Sequence, residues 1–176
     1  MPHVMVDIET MDTEVTTVIC SIGACFFNPE IMEIGSTFYQ KLDWSKQTPG
    51  RTIGSDTVKW WLHQEKAAQA ELVKSDSGSL YGTLSQFMSW LGYPEYVWAN
   101  GINFDIAILT HAAKQFNIHV PWKYNAPQEL RTLRLLNLVG DNEVPVNPME
   151  HNALEDAKWQ AHYAMAALAK IKQGSI

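Results

Sequence analysis

The stretch VMVDIETMDTE, residues 4–14, decides the fold. Val4, Met5 and Val6 are apolar, and a strand buried on both faces reads as a near-continuous apolar run. Two carboxylates, Asp7 and Glu9, stand where that run ends. Residues i and i+2 of a strand point to the same side, so the two acids lie side by side at the end of a buried strand. Like charges that close repel and raise each other's pKa. From this stretch alone two readings stay open. Either a positive ion lies between the carboxylates, or the strand ends at Asp7 and both acids are solvated.

The rest of the chain narrows the setting. Its 176 residues suit a single domain, 1–176, with room for a real core. Hydrophobic residues at 46% and charged residues at 18% are ordinary for a globular protein. Seven Trp point to a well-packed core or to aromatic contacts at a site. The net charge of −6 gives no overall attraction for nucleic acid. Two divalent cations would consume four negative charges and reverse the local field. Cys20 and Cys25 fall on opposite faces of one strand, roughly 17 Å apart at about 3.4 Å per residue. They cannot pair and read as small buried residues of a reduced, cytoplasmic protein. The N-terminus lacks the basic and apolar regions of a signal peptide. No stretch approaches the roughly 18 apolar residues of a membrane span.

Residues 16–28, TTVICSIGACFFN, read as a buried strand, and residues 33–42 as a third strand joined by the Asn28-Pro29-Glu30 turn. The short link makes the pair antiparallel. A loop follows over residues 45–55, with Pro49-Gly50. Asp56 is placed to cap one helix through TVKWWLHQEKAAQAEL, residues 57–72. After the polar loop 75–79, residues 80–91 carry Leu80, Leu84, Phe87, Met88 and Leu91 at helical spacing. Residues 96–99 form a short buried strand, and 104–117 a helix with Ile108, Leu109, Ala112, Ala113 and Phe116 on one face. Residues 127–133 read as a further strand, leading into a helix to Leu138. The last helix begins at Asn152, with Glu155 completing a capping-box-like pair. Ala157, Ala161, Ala164, Leu168 and Ile171 mark its inner face. The order is an antiparallel three-strand meander, then helices, then parallel strands: a mixed α/β domain.

Two further stretches bear on the acids. In VWANGINFDIAIL a buried strand runs into Asn100-Gly101, and Asp105 opens a helix. Sites gather where strands end and helices begin, although a helix-opening acid also favours its own N-terminal dipole. In MEHNALEDAKWQA, Asp156 sits one turn into the last helix, and His151 lies just before the Asn152 cap. Hard divalent cations prefer oxygen ligands, and two such ions need about four carboxylates from several elements. Asp7, Glu9, Asp105 and Asp156 supply that number.

D-x-E-T near the start, N-G-x-N-F-D in the middle and H-N-A-L-E-D near the end, in that order, resemble the DnaQ-like or DEDDh 3′–5′ exonucleases of the ribonuclease H-like superfamily. DTVKWWLHQ and LRTL look like a phage-type, exonuclease VIII-like branch related to short bacterial exoribonucleases. The resemblance covers roughly residues 3–170. It implies a ribonuclease H-like mixed sheet flanked by helices. It implies Asp7, Glu9, Asp105 and Asp156 as ligands of two divalent cations, Mg²⁺ or Mn²⁺, with His151 as general base and Glu9 also counted as catalytic. A tyrosine-type relative would carry Tyr at position 152. Thr10, Met11, Asn103 and Phe104 would meet the terminal nucleotide, Met11 as a wedge against a base or else as ordinary packing. Asp12 departs from the family, where many relatives carry Gly.

The implied activity is hydrolysis at the 3′ end of single-stranded nucleic acid, with DNA placed ahead of RNA and release of nucleoside 5′-monophosphates. A non-catalytic nucleic-acid-binding domain on the same fold is the other class, favoured by loss of a ligand or of His151; all five are present. The family often forms homodimers. Trp60 and Trp61 point about 100° apart on a helix, so at least one belongs to the core. Arg131 and Arg134 read equally as phosphate contacts or as surface ion pairs. The loop carrying His151 shows no evident packing partner.

Overall fold

The computed structural model describes residues 1–47, 50–74 and 78–174. The expected turn at Pro49 and residues 75–77 of the polar loop lie outside the described residues. Strands β1 (His3–Thr10), β2 (Ile19–Asn28) and β3 (Glu33–Lys41) form the antiparallel meander. Strand β4 (Tyr96–Ala99) runs parallel to β1, and β5 (Pro127–Glu129) parallel to β4. The sheet order is β3-β2-β1-β4-β5, so β1 is central. This is the mixed sheet that the order of elements along the sequence predicts.

Helices cover both faces. Val4, Val6 and Ile8 pack with α3 (Leu80–Leu91) and α4 (Asp105–Gln115). Met5, on the opposite face, packs with Cys25, Phe27 and the alanine face of α6 (Ala153–Lys172). Alternation puts Asp7 and Glu9 on the Met5 side, beneath the start of α6. Ala157, Ala161 and Ala164 are fully buried there. At β2 the approach is closer still. Gly23 stands opposite Asp7, and a Cβ on it would lie 2.1 Å from the Ala153 carbonyl carbon and 2.2 Å from Leu154 N. A bare glycine is what lets the first turn of α6 rest on the sheet beside the acids.

Several boundaries differ from the sequence reading. The single helix expected over 57–72 is two, α1 (Ser55–Leu62) and α2 (Lys66–Val73), and Gly54 rather than Asp56 is the N-cap of the first. Amide side chains stabilise the break. Gln64 Nε2 donates to the Trp60 carbonyl at 2.9 Å, and Gln69 Nε2 to those of Leu62 and Gln64 at 3.0 and 2.8 Å. These bonds satisfy carbonyls that a helix end leaves open. Strand β2 starts at Ile19, and Thr17 forms only an isolated bridge to Thr52. The strand expected over 127–133 stops at Glu129, where α5 (Leu130–Leu135) begins.

Asn152 caps α6 as expected, accepting from Leu154 N and Glu155 N. The reciprocal half of the box is not formed: the Glu155 carboxylate takes Lys158 at 2.8 Å instead. Cys20 and Cys25 are both buried free thiols in separate clusters, but not on opposite faces as their spacing predicts: the register shift at Glu9/Thr10 leaves Cys20 beside Glu9 and Ser21, on the face that holds Cys25. No helix among the described residues is long and apolar enough to cross a membrane.

Gly23→Ala tests the contact that seats α6. Backbone cannot yield as a flexible side chain would, so the variant is expected to lose about 1–3 kcal/mol or more of stability. It should also lose the activity of the site beneath the helix. Urea unfolding measures the first, and an unchanged midpoint would refute the close approach.

Candidate active site

Three elements bring the acids together. Asp7 and Glu9 end β1, where a register shift between Glu9 and Thr10 breaks the pairing with β2. Asp105 is the first residue of α4 and is 4% exposed. Its Oδ1 accepts from Ile8 N, between the two strand acids, at 3.2 Å. Asp156 lies in the first turn of α6 and accepts from His151 N at 2.9 Å and from Asn147 Nδ2 at 2.5 Å. Gln160, one turn further on, donates Nε2 to Asp7 Oδ1 at 2.8 Å. Each of the three aspartates is thus oriented by an amide donor.

The cluster is electrostatically unfavourable as it stands. Burial first, and then the charges of Asp105, Glu9 and Asp156, hold the Asp7 carboxyl well above the usual carboxylate range. Burial, then Asp156 and Asp105, do the same to Glu9. Burial pushes Asp105 up to about 7, against the pull of backbone donors from Ile8 and Gly101 and of the Arg131 charge. Asp156 is raised by burial, and Asn147 and His151 oppose this by hydrogen bonding.

His151 adopts a left-handed backbone, φ 62°. Such a conformation is uncommon outside glycine and persists where the surroundings enforce it. The ring is not free of partners, contrary to the sequence reading. It packs edge-to-face on Trp60 at 4.9 Å and on Trp61 at 5.8 Å between centroids. Trp61 is 3% exposed and donates Nε1 to the Thr10 carbonyl at 2.9 Å, tying α1 to the end of β1. Trp60 is 45% exposed. One tryptophan therefore belongs to the core and the other faces outward, as adjacent helical positions dictate.

The acids open into a cleft of about 780 Å³ that also takes in Phe104, Arg131, Arg134, Asn147, His151 and Gln160. A second, more apolar hollow of about 430 Å³ adjoins it through Ile8, Glu9 and Phe104, and is lined by Thr10, Asp12, Thr57, Trp60 and Trp61. Thr10 and Phe104 thus border the acids. Asn103 is exposed and lines a separate hollow with Ile106 and His111. Met11 is 5% exposed and packs with Val18, Cys20, Trp61 and Ala68, so its side chain is core and not a wedge in either cleft. Arg131 lies over Gly101, where a Cβ would meet its guanidinium at 2.6 Å. Arg134 stacks on Trp159 at 5.7 Å and reaches Asn100 at 3.4 Å.

Sequence reasoning missed Gln160 and Asn147. Gln160 carries a readable signal: it stands four residues after Asp156, on the same helix face. Asn147 lies in a loop and carries none.

The donor set fits hard divalent cations. Glu9, His151 and Asp156 each offer a ligand atom, all within 4.8 Å of one another. Asp7 and Asp105 line the same cleft and act on that group by charge. Carboxylates crowded against their own repulsion are the oxygen ligands such ions prefer. Gln160 Oε1, buried with no partner among the described residues, is a further acceptor beside them.

A family model for the Rv2179c-like 3′–5′ exoribonuclease domain matches residues 2–168. No curated protein matches the sequence. Among solved structures, the nuclease domain of 3′hExo, a DEDDh family member bound to rAMP, superposes with a TM-score of 0.60 at 13% identity, over 98% of this chain and 92% of that one. Exonuclease I from E. coli in complex with a dA16 oligonucleotide gives 0.66 at 15% identity, over 98% of this chain and 41% of that one. Cell-death related nuclease 4 gives 0.59 at 14%, over 98% and 64%. The chain therefore spans less than half of exonuclease I. At these identities the likeness establishes the fold, which is the ribonuclease H-like fold of the DEDDh exonucleases. The phage branch finds no separate support.

Asp105→Asn gives a pH test in metal-free protein. A carboxyl raised to about 7 in the fold carries no penalty at about pH 4, where the folded form is neutral. It lowers stability progressively between about pH 4 and pH 7, where the folded state still holds a proton that the unfolded state has released, and the loss is complete above about pH 7. The amide can still accept from Ile8 N. The variant should therefore melt roughly 5 °C higher than wild type at pH 8 in chelator, with the gain vanishing near pH 4. A gain independent of pH would remove charge as its cause.

Proposed function

The chain belongs to the Rv2179c-like 3′–5′ exoribonuclease domain family and is a 3′–5′ exonuclease, and from this we propose that it removes nucleoside 5′-monophosphates from the 3′ end of single-stranded nucleic acid, RNA ahead of DNA. One observation carries the reading: four carboxylates from β1, α4 and α6 converge on one cleft wall beside a histidine held in a left-handed conformation. The family's description supports RNA, in place of the sequence-based preference for DNA. The rAMP on 3′hExo and the dA16 on exonuclease I support a single-stranded 3′ end.

Asp7, Glu9, Asp105 and Asp156 would hold two divalent cations, Mg²⁺ or Mn²⁺. Bound there, such ions offset the carboxylates and polarise the phosphoryl oxygens of the substrate. The protein's own part is placement and proton transfer. His151, against Trp60 and Trp61, is the base that takes the proton of the attacking water. Gln160 and Asn147 keep Asp7 and Asp156 aimed at the cleft. Phe104 lines both the acid cleft and the apolar hollow, which suits the terminal base, while Arg131 and Arg134, which line the acid cleft, would meet the following phosphates. A homodimer would need to leave this cleft open.

A 5′-labelled single strand, as RNA and as DNA, incubated with Mg²⁺ or Mn²⁺ should shorten stepwise from its 3′ end, faster for RNA. Cutting of a circular single strand would contradict the exonuclease reading. His151→Ala should lose about 10²–10⁴-fold in turnover while metal affinity, read by calorimetry, stays. If affinity fell and high Mn²⁺ restored turnover, His151 would be a ligand, as its spacing to Glu9 and Asp156 also permits.

A further inference from the structure

Asn152 uses both ends of its side chain. Its Oδ1 caps α6, accepting from Leu154 N at 3.1 Å and Glu155 N at 3.2 Å. Its Nδ2 turns away from the helix and donates to Tyr39 Oη at 3.0 Å and Glu71 Oε1 at 3.2 Å. Tyr39, on β3, donates to the same Glu71 oxygen at 2.8 Å. Glu71, near the end of α2, is ion-paired with Lys41 of β3, and both side chains are almost covered, at 11% and 12% exposure. A charged cluster from two other elements thus grips the helix cap from outside the helix.

Stability alone does not account for this arrangement. A nearly buried ion pair is close to neutral against an apolar pair of similar size. Asn, Asp and Ser are near-equivalent as helix caps. Only Asn among them offers an acceptor to the helix and an amide donor to the cluster. The residue so held is preceded by His151 and followed, four residues on, by Asp156. A polar void of about 10 Å³ joins the two regions, lined by Glu9, Ser21, Tyr39, Lys41, Glu71 and His151 among others; that is close to the space of one water. His151 also rests on Trp60 and Trp61. The α1–α2 pair therefore bears on it from two sides, by ring contact and through the cap.

We propose that Glu71, braced by Lys41 and Tyr39, is a positioning residue for the active site: through Asn152 it fixes the start of α6 and so the placement of His151 and Asp156. This rests on the exonuclease reading of the cleft. Misplacing a reacting group by about an ångström costs on the order of 10²-fold in rate, so a loosened cap is felt in turnover before it is felt in folding.

The test is a swap of donor and acceptor. Asn152→Asp keeps a good cap but sets a carboxylate against Glu71. Glu71→Gln keeps an acceptor but leaves Lys41 without its counter-charge. The double variant restores a hydrogen bond in the opposite direction at unchanged net charge. Each single change should lower kcat about tenfold or more with KM within about twofold, and the pair should recover to within about threefold of wild type. Asn152→Ser, a sound cap without the amide, should show the same loss of kcat with a melting temperature within a few degrees of wild type. The ring-proton resonance of His151, displaced by the two indoles, should move toward its free position in each single variant and return in the double. Full kcat in Asn152→Asp or Asn152→Ser, or purely additive losses in the double variant, would overturn the proposal. If wild type shows the resonance pattern without nuclease activity, the positioning stands and the exonuclease reading fails.

Discussion

The seating of α6 on Gly23 is the contact on which the site depends. Asp7 and Glu9 are fixed by β1 whatever else happens, since they continue the face of Met5 in a central strand. Asp156 and Gln160 reach them only because the first turn of α6 meets β2 backbone to backbone. No side chain larger than hydrogen fits opposite Asp7 at that point. The alanines at 157, 161 and 164 continue the close approach along the helix. Small residues here serve charge, since they let a helix start stand over two acids.

That closeness stores repulsion. Four carboxylates share one cleft; burial with mutual charge lifts the strand acids, and burial lifts Asp105, out of their usual range. Folding free energy supplied by the cores on both faces of the sheet holds them there. The three aspartates have donors: Ile8 N for Asp105, Gln160 for Asp7, Asn147 and His151 N for Asp156. What the cluster lacks is positive charge, and the nearby guanidinium of Arg131 only partly offsets it. An acidic protein therefore concentrates its deficit at one place, where bound cations would supply the missing positive charge.

Periodicity carried most of the fold. The apolar run of β1, the helical spacing of 80–91 and the Asn152 cap all read directly, because each is a local pattern with a local cause. The misreadings have local causes of a different kind. The α1–α2 break is held by amide side chains that bond carbonyls, and a helix-compatible sequence gives no warning of it. Glu155 chose Lys158 over the cap, a competition that spacing cannot decide. Met11 follows the first acid motif as a wedge would, but it enters the core beside Trp61 because the β1 register shifts at Thr10. The acids and His151 were legible as residues in ordered motifs. The loop donor Asn147 and the grip of Glu71 on Asn152 join positions far apart in the chain, and no short-range pattern encodes them.

His151 shows how these levels meet. A histidine at φ 62° is held, and each restraint comes from a different part of the fold. Its own N–H is spent on Asp156, which sets the backbone turn. Its ring lies against two indoles, one of them tied by hydrogen bond to the end of β1. Its neighbour Asn152 is anchored at once to the helix and to a buried ion pair. In the proposed role of general base, a residue that had to search for its position would spend conformational entropy at every turnover. Here that cost is met during folding, so the ring stands beside the acids before any substrate arrives.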